Sequence, residues 1–340
     1  MSGPPERILL AHGAGGRLTQ ELIRERFLPA LANPYLAELT DGAVLPELPP
    51  GRPALTTDGF VVSPPVFPGG DLGKLAVCGT VNDLAMVGAR PLWLTLALIL
   101  EEGAAGDLVD RCIASVATAA REAEVAVVAG DTKVVPRGSG DVVYAVTTGL
   151  GVVPPGRELG DALIQAGDAI VASGPLGDHG AAIMAVRHGI DPGELTSDCA
   201  PLAGLVEALL ASGARVRSLH DPTRGGLVAA CHETAQRCGL RMLLEEEHVS
   251  VRPQVQAVCE LLGLDPLGLA CEGRFLAWVD VKDVDAAVAA LRAHPLGSGA
   301  ARIGTVEERP AGSVAVALRT ATGSVRPLDL LSGMDLPRIC

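Results

Sequence analysis

The sequence predicts a two-domain protein of the α+β or α/β class, on three observations. Strand-patterned runs and amphipathic helical runs alternate in both halves of the chain. Each half opens with a strand-like run, a glycine turn and a helix. The length, 340 residues, suits two domains of ordinary size. With 48% hydrophobic residues and only 2% aromatics, the core must be aliphatic and alanine-rich.

The first unit, "RILLAHGAGGRLTQELIRERFLPAL", reads as strand, turn and helix. Its glycines do not have the spacing of a dinucleotide fingerprint, and no second βαβ unit with a suitably placed acid follows. "ALTTDGFVVS" (54–63) alternates with period two and reads as a strand, and "GDLGKLAVCGTVNDLAMVG" (70–88) as a glycine-opened helix. "RPLWLTLALILEE" is a buried strand, "GDLVDRCIASVATAAREAE" an amphipathic helix, "VAVVAGDTKVV" a strand ending in a polar loop, and 141–153 a further strand. "PPGRELGDALIQAGD" reads as the joint between the domains. The second half resumes with "DAIVASGPLGDHGAAIMAVRHGI". Helical patterns follow at 201–212, 225–238, 253–262 and 283–293, and strands fit "RMLLEE", "RFLAWVDV", "ARIGTVEE" and "SVAVAL". The expected division is therefore 1–155, 156–318 and a loosely patterned tail, 319–340.

A net charge of −13 argues against nucleic-acid binding through a basic surface. It leaves room for nucleotides, which acidic proteins hold through Mg²⁺ and backbone amides. The N-terminus has no secretory pattern, and the longest apolar run (91–100) is too short to span a bilayer. None of the eight cysteines forms a C-x-x-C pair, so a cytoplasmic protein with reduced thiols is expected. Cys340 is the last residue, which excludes prenylation.

The aspartates carry the chemical signal. Of Asp41 ("LTDGAV"), Asp58 ("TTDGFV"), Asp83 ("TVNDLA"), Asp131 ("AGDTKV") and Asp221 ("HDPTRGG"), several sit at a strand end or helix start. Glycine or threonine lies beside several of them. Carboxylates in such places hold Mg²⁺ against phosphate oxygens, and glycines let backbone N–H groups approach phosphates. Any single aspartate of this kind is more often a turn or capping residue. Five together, with Lys74 and Lys133 nearby, favour a nucleotide site. "PGGDLGKL" is not a Walker A motif, since its spacing is short by one and no Ser or Thr follows the lysine. On the residues alone, Glu272 in "LACEGRF" reads as a solvent-facing turn acid ahead of a general base, and His12 and His179 as turn residues.

Eight stretches, "AHGAGG", "TTDGFVV", "FPGGDLGKLAVCGTVNDLAM", "ILEEG", "AGDTKVV", "DPTRGGL", "CEG" and the terminal "PRIC", occur in an order that resembles the HypE family of hydrogenase maturation proteins. They span residues 11 to 340, and the long block and the terminal "PRIC" are the specific ones. Val66 stands where the family more often has an aromatic, a departure that bears on packing. The resemblance implies the α+β fold of the aminoimidazole-ribonucleotide-synthetase superfamily. Its N-terminal domain dimerises into a β-barrel, its C-terminal α+β domain covers ATP, and its tail is flexible. It also implies a chemistry. A carbamoyltransferase, HypF, loads a carbamoyl group onto the terminal sulfur, here Cys340. ATP-dependent loss of water then leaves a thiocyanate. The cyano group passes to iron on a HypC–HypD complex and becomes a cyanide ligand of a [NiFe]-hydrogenase. By resemblance, Asp41, Asp83 and Asp221 hold Mg²⁺, and Asp58, Lys74, Asn82 and Asp131 line the nucleotide site. Lys133 and Glu272 flank the carbamoyl group, and Cys340 is its carrier. From Pro327 to Cys340 an extended chain reaches at most roughly 45 Å at about 3.3–3.6 Å per residue, enough to enter the site and to reach a partner.

Two related enzymes fit less well. A selenophosphate synthetase would carry Cys or selenocysteine in the loop where "HGAGGR" has none, and an aminoimidazole ribonucleotide synthetase needs no terminal cysteine. A scaffold with a decayed site would not retain these acids together with Lys133.

Overall fold

In the computed structural model the described residues are 6–330; the tail residues 331–340, Cys340 among them, lie outside that range. The strand expected at the N-terminus is a single bridge, Arg7 to Ala105, followed by a 3₁₀ turn, Leu10–Gly13. Helices α1 (Arg17–Leu22) and α2 (Leu28–Leu31) flank a π-helical turn, Ile23–Phe27. The first domain continues with β1 (Arg52–Phe60), the short pair β2 (Val66–Phe67) and β3 (Gly70–Asp71), then α3 (Leu72–Met86). Strand β4 (Arg90–Glu101), helix α4 (Gly106–Glu122), β5 (Ala126–Val135) and β6 (Val143–Val153) complete it. The polar loop expected at the end of β5 is strand as far as Val135.

The four long strands form one sheet in the order β1-β6-β4-β5. Only β4 and β5 run parallel, and α4 makes their crossover. Asp71 caps α3, accepting from Gly73 N at 3.0 Å and Lys74 N at 3.1 Å. Gly73 is required where α3 meets α4, because a Cβ there would lie 2.0 Å from Cys112 O. Nearly every residue of α3 is buried, since the helix lies between this sheet and the second domain.

Strand period assigns the faces of the sheet. Ala54, Thr56, Asp58 and Phe60 of β1 point to the helix-covered side, as do Leu96, Leu98 and Leu100 of β4. The opposite face carries Leu55, Thr57, Ala97, Ile99, Val146 and Leu150 and is open in the single chain; Leu55 is 72% exposed. No closed barrel is present among the described residues.

The second domain contains β7 (Ala169–Ala172), α5 (Asp178–Arg187), α6 (Ala203–Ala211), β8 (Val216–His220), α7 (Gly226–Cys238) and β9 (Arg241–Glu245). Then come α8 (Pro253–Leu262), β10 (Leu276–Val279), α9 (Val284–Arg292), β11 (Ala301–Glu307), β12 (Val316–Arg319) and β13 (Val325–Pro327). Seven strands order as β13-β12-β9-β11-β7-β10-β8, antiparallel except between β9 and β12, which makes the architecture α+β. Where a tail was expected from residue 319, β13 pairs with β12, and Leu328 is buried against the core. No helix among the described residues is long and apolar enough to cross a membrane.

Candidate functional site

The domain boundary gathers acids from four separate stretches. Asp58 comes from β1 and Asp83 from α3. Asp221 follows β8, and Glu272 precedes β10. Two backbone links bring the second pair together. Cys271 N donates to Pro222 O at 2.9 Å, and Gly226, at φ 60°, turns so close that a Cβ would lie 2.6 Å from Leu269 O. Glu272 is 3% exposed and Asp221 9% exposed. The expectation that Glu272 is a solvent-facing turn acid is therefore corrected, because the packing of the "CEG" turn against 198–200 buries it. Gly273 permits that packing, since a Cβ would lie 1.8 Å from Asp198 O.

These carboxyls bind their protons more tightly than exposed ones. Asp58 is pushed up to about 6 by burial and then by Asp83, with which it shares a hydrogen bond. Burial, then Asp221, raises Asp83, although Thr56 Oγ1 donates to it at 2.8 Å. Asp221 is raised by burial, and Glu272 is raised well above the usual range by burial, then by Asp221 and Asp198. A set of desolvated carboxyls that raise one another suits a hard divalent cation with phosphate oxygens and water completing its shell. Among the described residues no three such side chains enclose an ion by themselves.

The cluster predicts an inverted pH dependence. Asp58 has its folded value above the unfolded one, so its stabilising contribution is present below about 4 and lost as pH rises through about 6. Replacing Asp58 by Asn is expected to stabilise the ligand-free protein at pH 8 by about 1 kcal/mol, discounting the shift for half-exposure. The gain should vanish near pH 4. Urea denaturation at both pH values measures it, and an equal effect at both would contradict the assignment.

The remaining expected residues lie elsewhere. Asp131 and Lys133 form an exposed pair at 3.3 Å on β5, at the far edge of the sheet and on its open face. Asp41 joins Asp131 on the wall of a cleft of about 510 Å³ between residues 19–42 and the β5 edge. Lys74 Nζ donates to Gly69 O at 3.0 Å. Asn82, beside Asp83, is 1% exposed, and its amide bonds only to the second domain. His179, read from sequence as a turn residue, is instead buried, with Nδ1 2.8 Å from Ser197 Oγ and its ring edge-on to Phe67.

Thr56 and Asp198 stand in the site without a place among the expected residues. Thr56 had a legible signal, because in an alternating strand it shares the face of Asp58. Asp198 Oδ1 accepts from Glu272 N at 3.0 Å, and nothing in "TSDCA" announces that contact.

Two α+β domains that close an acidic cluster between them place the chain in a known class. Residues 40–153 and 165–317 match the N-terminal and C-terminal domains of AIR synthase related proteins. Within that class, the chain is 47% identical over 339 residues to the carbamoyl dehydratase HypE of Rhodobacter capsulatus, covering 98% of each chain. A crystal structure of the hydrogenase maturation protein HypE in complex with ATP matches with TM-score 0.93 and 43% identity, covering 98% of this chain and 99% of that one. A HypE–HypF complex matches with TM-score 0.79 and 40% identity, over 91% of this chain and 99% of that one. The chain belongs to the HypE family of carbamoyl dehydratases.

Proposed function

We propose that the protein dehydrates a carbamoyl group carried on its own Cys340, leaving a thiocyanate that supplies the cyanide ligand of a [NiFe]-hydrogenase iron centre. The observation that carries this reading is a buried Glu272 whose carboxyl is raised by burial and by Asp221 and Asp198, at a domain boundary that also holds Asp58 of the other domain. ATP supplies a phosphoryl group that turns the carbamoyl oxygen into a leaving group, and the net change is thiocarbamate plus ATP to thiocyanate, ADP and phosphate. Glu272 takes a proton from the carbamoyl nitrogen, and Lys133 steadies the charge that develops on the oxygen. Asp58, Lys74 and Asp131 belong to the nucleotide site; Asn82, expected there by resemblance, adjoins it with its amide turned to the second domain. Asp41, Asp83 and Asp221 are the residues that would hold Mg²⁺, whose charge the mutually raised carboxyls suit. The partners of the reading are HypF, named in a matched complex, and a HypC–HypD acceptor. The described cysteines are all free thiols, in keeping with a cytoplasmic setting.

The same reading makes the site a property of a homodimer. Three inter-strand spacings of roughly 4.8 Å, about 14 Å, separate the Asp58 edge from the Lys133 edge, and the two residues occupy opposite faces. One chain therefore does not bring Lys133 to Glu272. A second copy stacked on the open face would bury Leu55, Val146 and Leu150 and present its own Asp41, Asp131 and Lys133 to the acids of the first. Leu55→Asp is expected to give monomers by sedimentation and no dehydration. Co-expressed Lys133→Ala and Glu272→Gln chains are expected to regain about a quarter of wild-type activity, because half the dimers are mixed and each has one intact site. No recovery would assign both residues to one chain.

Intact-mass spectrometry with HypF, carbamoyl phosphate and ATP tests the whole reading. The terminal peptide should gain a carbamoyl group and then lose one water. A group that is gained and never loses water would leave a carrier.

A further inference from the structure

Among the described residues, the hydrogen bonds of the Asn82 amide all go to the second domain. Nδ2 donates to Ala200 O at 3.1 Å and to Glu272 O at 3.2 Å, and Leu202 N donates to Oδ1 at 2.7 Å. All three partners belong to the second domain. The neighbouring residue is Asp83, which shares a hydrogen bond with Asp58. One helical turn thus holds an acid of the first domain and the grip on Glu272.

The Glu272 backbone is fixed from both sides. Its N–H is held by Asp198 Oδ1 at 3.0 Å, and its carbonyl accepts from Asn82 Nδ2 at 3.2 Å and from Ala200 N at 3.4 Å. Gly273 then lies against the carbonyl of Asp198 with no space for a side chain. Of these partners, Asn82 is the one that comes from the first domain, the domain of the Asp58–Asp83 pair.

Docking of the domains does not depend on it. Ala85 and Met86 of α3 pack in one apolar cluster with Leu202, Leu205 and Phe275, and Ile183 and Ala270 of the second domain join the core under the first sheet. Losing the amide would move the Glu272 turn while the domains remain together.

We propose that Asn82 is a positioning residue, a tie across the domain boundary that sets the Glu272 carboxyl in register with Asp58 and Asp83. This rests on the dehydration reading above and deepens it. It also separates Asn82 from the residues that would touch the nucleotide itself.

The test uses full-length protein carbamoylated on Cys340 by HypF and compares wild type with Asn82→Asp in single-turnover water loss followed by mass. The aspartate keeps the acceptor for Leu202 N and removes both donors. The expected result is a water-loss rate at least about tenfold lower, since the Glu272 carbonyl keeps only the longer bond from Ala200 N. The ATP concentration for half-maximal rate should change less than about threefold, because no nucleotide contact is lost. In a Glu272→Gln background, the same substitution should add little to the loss, because both act through one carboxyl. Asn82→Ser, which is neutral, is read in the same way if the aspartate variant does not fold. An unchanged rate overturns the proposal. So does a loss that saturating ATP restores, which would make Asn82 a nucleotide contact, or a loss that adds in full to that of Glu272→Gln. Failure of the dehydration reading is distinct, because wild-type protein would then keep its carbamoyl group before any variant is compared.

Discussion

Replacing Cys340 by Ala is expected to abolish thiocyanate formation completely while leaving ATP binding intact. In the proposed reaction the Cys340 thiolate is the nucleophile in carbamoylation, so a substitute would need an accessible thiol of low pKa. The described cysteines do not provide one. Burial pushes the Cys112 and Cys231 thiols up to about 12 and Cys259 up to about 11. Cys199 and Cys271 are raised well above the ordinary value, Cys199 chiefly by a hydrogen bond with Cys78 and Cys271 by burial. Cys78 is fully buried, and the half-buried Cys238 is also raised by burial. Intact and peptide mass after incubation with HypF, labelled carbamoyl phosphate and ATP measures the outcome. Label on any other cysteine of the variant would refute the tail as carrier.

Glu272→Gln should stall the reaction one step later. The glutamine keeps the shape of the side chain and its backbone bonds to Asp198 and Asn82, and it removes the proposed proton acceptor. Carbamoylation is expected to proceed normally, and water loss to slow by about 10²–10⁴-fold, the usual contribution of a positioned base. Burial, then Asp221 and Asp198, raises the pKa, so the wild-type carboxyl is a stronger base than an exposed glutamate but is more often protonated. The wild-type rate should therefore climb with pH as Glu272 ionises, and the variant should lose that climb. Single-turnover mass spectrometry across pH measures both, and normal water loss in the variant would remove Glu272 from this role.

The same residues mark how far local pattern reached. The glycine-opened "GDLGKLAVCG" block was legible as α3 because Asp71 supplies its cap three residues from Lys74. β1, β4 and β6 were legible by alternation or continuous apolar character. Strand β8 escaped because "VRSLH" is short and has only Val216 and Leu219 as apolar residues, out of period-two step with each other. β13 escaped because Arg326 and Pro327 have no strand signature, and the strand forms by pairing with β12. Both misses are cases where the neighbour in the sheet decides the local structure.

By itself the sequence determined the two-domain alternation, the set of chemistry-bearing side chains and the thiol at the end of the chain. Composition, periodicity and capping express these within a few residues. Only the tertiary structure decided which of those side chains meet. It buried Glu272, gathered Asp58, Asp83 and Asp221 beside it, and left Lys133 on the other face of the sheet. It also committed the Asn82 amide to a carbonyl 190 residues away. Such contacts depend on two domains closing over apolar surface, and no local period along the chain encodes that approach.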